Sequence, residues 1–129
     1  MSRFISLVTL VVPDYDAAIA FYVDKLGFAL LEDTELGNGK RWVRVAPPGS
    51  QTALLLARAT NRHQQAAIGN QAGGRVGFFL QTDYFARDYE QLRAKAVDFR
   101  EEPRKEAYGN VAVFTDPFGN DWDLVELRG

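Results

Sequence analysis

The chain has 129 residues, 47% hydrophobic and 25% charged, which suits one domain with a substantial core. Its net charge is −2 and its 15 basic residues are spread along the chain, which argues against nucleic-acid binding. The absence of cysteine excludes disulfides, thiolate catalysis and Cys-ligated metals.

The opening "MSRFISLVTLVV" carries one Arg, then a short apolar run that ends at Pro13 and Asp14. It shows no small-residue cleavage site and is too short to cross a bilayer, so no membrane partner and a cytoplasmic, soluble protein are expected. The run reads as a strand. Asp14 or Asp16 then starts an amphipathic helix in which Ala18, Ile19, Tyr22 and Leu26 share a face, with Phe21 beside them, and Gly27 ends it. Extended runs follow at about 28–34, 41–46 and 52–58, joined by turns at "LGNGK" and "PPGSQ". In "RWVRVA", Trp42 and Arg44 alternate with Val43 and Val45. With the valines against the helix, Trp42 and Arg44 face a cavity and suit a planar, polar or anionic molecule; otherwise they are dimer core and solvated rim. Residues 59–73, "ATNRHQQAAIGNQAG", read as a linker with room for a short helix. Its His63, the only histidine, is either a base over a cavity or an inert loop residue.

The pattern then repeats. "GRVGFFLQTDYFARDYEQLRAKAVDFREEP" from Gly74 mirrors "SLVTLVVPDYDAAIAFYVDKLGFALLED" from Ser6. A second helix starts near Asp83, with Phe85, Tyr89, Leu92 and Ala96 at helical spacing. Extended runs follow at about 98–102, 110–115 and 121–127, joined by "EAYGN" and "DPFGN". Both halves therefore read βαβββ, as module one (1–58), the linker (59–73) and module two (74–129) of one domain. One helix covers one sheet face only. The other face, mixed in "RVGFFLQ", suits a concave cavity wall with Phe79 on it, or core packing of that ring. Tyr108 beside Gly109 either closes a pocket mouth or stands in an exposed turn. Trp122 belongs under the second helix, and Asp121 is expected in water.

These pieces together resemble the vicinal oxygen chelate (glyoxalase/bleomycin-resistance/dioxygenase) superfamily. The matching stretches are "VTLVVPDYDAAIAFYVDKLGF", "GRVGFFLQTDYFARDYEQLRAKAVDF" and "VAVFTDPFGNDWDLVEL". The resemblance implies an α+β fold of two tandem βαβββ modules. Each would be a curved mixed four-stranded sheet, ordered first-fourth-third-second, with one helix. It also implies a ligand cavity and a homodimer. Metal-dependent members place His, Glu or Gln at four cavity-facing positions, which fall here on Leu7, Leu55, Arg75 and Asp123. Leucine has no donor and arginine is a fixed cation, so no metal and no cofactor are expected. Arg75 and Asp123 are expected as an ion pair in place of the metal, either structural or available to a ligand, with Leu7 and Leu55 as an apolar patch opposite.

The expected function is therefore metal-independent binding of a small polar or anionic organic molecule. The implied ligand-binding residues are Leu7, Trp42, Arg44, Leu55, Arg75, Phe79, Tyr108 and Asp123. The alternatives are a glyoxalase-like lyase or isomerase or dioxygenase relative, and a dimer acting only as an interaction module.

Overall fold

The computed structural model describes residues 3–128. The chain divides into two compact units, one ending at Ile68 and the other beginning at Gly69, so the boundary lies inside the expected linker. Residues 59–68 join the first unit because the short helix α2 (Arg62–Ala67) packs on its first strand. Residues from Gly69 join the second. A Cβ at Gly69, where φ is +70°, would lie 2.1 Å from the Phe118 carbonyl oxygen, so only glycine permits that approach.

The first unit comprises β1 (Leu7–Val12), helix α1 (Tyr15–Ile19, with a π-helical extension), β2 (Ala29–Gly37), β3 (Lys40–Ala46), β4 (Ala53–Arg58) and α2. Asp14 caps α1 by accepting from the Ala17 N–H at 2.7 Å. The helix is α over Tyr15–Ile19 and π over Ala20–Lys25, with Leu26 N donating to Phe21 O at 2.9 Å. The wider turn lets sequence neighbours Phe21 and Tyr22 both be buried, edge to face at 4.9 Å. The sheet order is β1-β4-β3-β2, with β1 parallel to β4 and the other pairs antiparallel. Leu10, Val12, Val43, Val45 and Leu56 are fully buried on the helix side. The β2–β3 hairpin closes through Asn38 (φ +57°) and Gly39 (φ +78°), a primed turn that matches strand twist.

The second unit comprises β5 (Phe78–Gln81), α3 (Phe85–Ala94), β6 (Asp98–Phe99), β7 (Arg104–Glu106), β8 (Gly109–Thr115) and β9 (Asp121–Leu127). Its order is β5-β9-β8-β6, with β7 also paired to β8. Helix α3 starts later than Asp83. The Phe85 N–H is met by Glu126 Oε1 at 2.7 Å, and Thr82 Oγ1 accepts from Tyr84 N at 3.0 Å. The expected strand 98–102 is interrupted. Arg100 N still donates to Val113 O, but the next pair is Arg104 opposite Val111, so Glu101, Glu102 and Pro103 are set against Ala112 alone. Pro103 has no N–H for the ladder, and a bulge absorbs it. The buried face is an aromatic ladder: Phe78 on Trp122 at 4.7 Å, Trp122 on Phe114 at 5.8 Å, and Phe114 against Phe99 at 5.6 Å. Among the described residues, no helix is long and apolar enough to cross a membrane.

Candidate functional site

Strand alternation sorts the first sheet into two faces. Val43 and Val45 pair with Leu56 and Leu54 on the helix side. Trp42, Arg44, Leu55 and Leu7 therefore lie on the opposite face, with Thr9 beside Leu55 and Ala53 beside Leu7. They do not converge at one point. Leu55 and Trp42 reach a cavity of about 660 Å³ at the strand ends, whose wall also includes Val11, Ala57, Lys40 and Arg58. Arg44 sits further along β3, where its Nε donates to Glu32 Oε1 at 3.0 Å, and Leu7 lies at the far end of β1. Thr60 and Gln64 close the rim. Gln64, not His63, is the α2 residue on the wall, and the His63 side chain is exposed.

Three cations border this cavity. Arg41 is fully engaged: Nε and Nη2 donate to the two oxygens of Asp33 at 3.0 and 2.7 Å, and Nη1 donates to Asp16 at 2.9 Å. The Arg41 hydrogen bonds hold the Asp33 carboxyl below its ordinary pKa. Lys40 and Arg58 have no carboxylate partner among the described residues. Tyr15 is buried beneath the guanidinium groups of Arg41 and Arg58, at 5.2 and 5.4 Å from its ring centroid. Sequence reasoning missed Tyr15, Lys40, Arg41 and Arg58. The only available signal was a basic residue at each of two strand ends, and their convergence needs the pairing of β3 with β4.

In the second unit, the side facing away from the aromatic ladder carries Phe79, Val113 and Asp123. Asp123 is flanked by Phe79 on β5 and Val113 on β8. The expected Arg75–Asp123 pair does not form. Arg75 is exposed and precedes β5, whose register is set by Gly77 N donating to Asp121 O at 3.1 Å. Asp123 Oδ1 is buried without a hydrogen-bond partner. Desolvation pushes its pKa up; the field of Arg104 opposes this and that of Glu101 adds to it. Arg104 itself is held between Glu101 and Glu106. Phe79 is 68% exposed and Tyr108 49% exposed, the latter in the β7–β8 turn. Trp122 is buried in the ladder as expected. Asp121 is not simply solvated: it accepts from Thr115 Oγ1 at 2.9 Å and from Arg100 at 2.8 Å.

The raised carboxyl gives a pH signature. Asp123 binds its proton more tightly folded than unfolded, so its contribution to stability is full below the ordinary carboxylate range and is lost as pH rises through the folded pKa. Asp123→Asn is therefore expected to stabilise the protein at pH 7 by up to about 1 kcal/mol, allowing for partial solvent access. The gain should shrink towards pH 4. Thermal melts of both proteins across this range check it, and a variant destabilised equally at every pH would contradict it.

The four positions at which the resemblance places the ligands of a divalent ion are Leu7, Leu55, Arg75 and Asp123. They do not fit one: two lack donors, one is cationic, and a single carboxylate is not a centre. Among the described residues, no group of three or more His, Cys, Asp or Glu side chains converges as a metal site requires.

Comparison with known proteins agrees with this architecture. The chain is 53% identical over 130 residues to an uncharacterized protein of Shewanella frigidimarina, covering 99% of this chain and 96% of that one. The crystal structure of UcmS2 superposes with a TM-score of 0.83 at 31% identity, over 97% of this chain and 98% of that one. TnmS3, an antibiotic binding protein from Streptomyces sp. CB03234, superposes at 0.78 with 30% identity, over 99% of each chain. Residues 4–124 match the family model of the Glyoxalase/Bleomycin resistance protein/Dioxygenase superfamily, and the protein belongs to that superfamily.

Proposed function

We propose that the protein binds a small, flat, polar or anionic organic molecule without a metal and without transforming it. The observation that carries this is the cavity of about 660 Å³ in the first unit, within the size range of small-molecule sites. One wall is aromatic and aliphatic, through Trp42, Leu55 and Ala57, and its rim is cationic. Such a surface takes a ring system by stacking and an anionic group by charge. The donor-poor set at the family's metal positions supports binding over metal-assisted chemistry. The similarity to TnmS3, itself described as antibiotic binding, supports the same reading.

A thermal-shift screen of flat aromatic acids, amides and amines tests it, because a ligand selective for the native state raises the melting temperature. Trp42→Ala is expected to weaken the best compound about 10-fold or more, equivalent to about 1.4 kcal/mol of lost ring contact, with little change in the melting point of the free protein. Undiminished affinity in that variant would remove the cavity from the reading.

A further inference from the structure

We propose that Arg58 is the residue that reads the charge of the ligand, and that the ligand is therefore an organic acid whose carboxylate lies at the strand-end rim of the first-unit cavity. The inference rests on the cavity reading above and adds the substrate class and the residue that selects it.

Arg41 and Arg58 both stand over Tyr15, but Arg41 spends its donors on Asp33 and Asp16. Its charge is neutralised from two sides, and it serves to fix Tyr15, whose hydroxyl accepts from the Arg41 backbone N–H at 3.2 Å. Arg58 has no carboxylate or carbonyl acceptor for its guanidinium among the described residues. A planar guanidinium carries five donors in a fork matched to a carboxylate, so these are unspent.

Arg58 is nonetheless held in place. It ends β4 opposite Val12, and the next residue, Ala59, donates its N–H to Val12 O at 2.9 Å. Tyr15 supports one side of the group. On another side lies Gly39 of the β2–β3 hairpin: a Cβ there would sit 3.3 Å from Arg58 Nη2. The φ of +78° that the hairpin demands thus also leaves the space the guanidinium occupies. Pre-positioning lowers the entropy cost of capture. Lys40, also without a carboxylate partner, adds a second positive charge at the same rim, and Trp42 and Leu55 line the same cavity from the other face of the sheet, around the strand ends from Arg58. A flat body with a terminal carboxylate matches this sequence of surfaces. A cationic ligand does not, since it would meet Arg58 and Lys40.

The test uses 2-naphthoate and its uncharged counterpart 2-naphthamide, titrated calorimetrically into the full chain. Wild type is expected to prefer the acid by about 10-fold or more, with the preference falling as salt is raised. Arg58→Met, which keeps the aliphatic stem, should erase the preference while leaving amide binding within about 2-fold. Arg58→Lys should restore part of it. Acid binding unchanged in Arg58→Met, or no preference in wild type while Trp42→Ala still abolishes both ligands, would overturn the role of Arg58 and leave the cavity reading standing. Failure of both compounds to bind wild type would overturn both. Melting temperatures of the variants show that each is folded.

Discussion

Replacement of Phe114 by alanine is expected to lower folding stability by about 4 kcal/mol, the middle of the range for truncating a buried aromatic. Phe114 is fully buried near the C-terminal end of β8, with Trp122 stacked at 5.8 Å on one side and Phe99 edge-on at 5.6 Å on the other. Its removal forfeits the transfer free energy of the ring and two ring–ring contacts, and it opens a void. Both neighbours are large, rigid side chains with contacts of their own: Trp122 with Phe78 at 4.7 Å and Phe99 with Tyr89 at 4.6 Å. The site therefore cannot collapse cheaply. Denaturant unfolding should show a lower midpoint at unchanged slope, with a melting point lower by about 15 °C. A loss under about 1.5 kcal/mol would mean that the ladder relaxes around the gap. The adjacent residue on β8, Val113, stands on the opposite face beside Asp123. The same truncation is thus expected to loosen the second-unit face from behind.

Periodicity together with cap and turn residues separates most of the elements. Alternation in "RWVRVA" was enough to put Trp42 and Arg44 on one face and the valines under the helix. Strand order came with the family resemblance rather than from the residues, and the pairings β1–β4 and β5–β9 agree with it. Register was the part that could not be read. The positions implied by the resemblance set Arg75 next to Asp123, but Gly73 and Gly74 adopt φ of +65° and +94° in a turn that delays β5 to Phe78. That moves Phe79, not Arg75, beside the carboxylate. The bulge before Arg104 was equally hidden. Pro103 signals an interruption, but the number of residues it displaces depends on how the chain rejoins β8. The rim formed by Tyr15, Arg41 and Arg58 depends on side chains far apart in the sequence meeting over one ring, and no local pattern encodes that.

Asp116→Ala is expected to cost about 3 kcal/mol, although it removes a charged side chain from a turn. The carboxylate is buried, and three N–H donors converge on it: Phe118 N at 2.9 Å and Asn120 N at 2.8 Å on Oδ1, and Asn120 Nδ2 at 2.7 Å on Oδ2. Bonds to an ionised acceptor are stronger than neutral ones, and donors left behind in a buried site bear their full desolvation cost. Asn120 is itself buried, so water does not replace the lost acceptor readily. The backbone bonds that close the turn, Asp116 N to Asn120 O at 2.9 Å and Gly119 N to Asp116 O at 3.3 Å, are too few to hold it alone. Asp116→Asn retains the shape but turns an NH₂ group towards one of these donors, so it should cost roughly half as much. Asn120→Ala removes one bond to the carboxylate and should cost about 1 kcal/mol. A double-mutant cycle between the two positions should then return a coupling of about 1 kcal/mol, as for directly bonded neighbours. Additive losses would show that the turn is held by its backbone instead. The effect should reach the face that carries Asp123, because this turn joins β8 to β9 and fixes Thr115 opposite Asp121, from which the Val113–Asp123 and Phe79–Asp123 pairings follow.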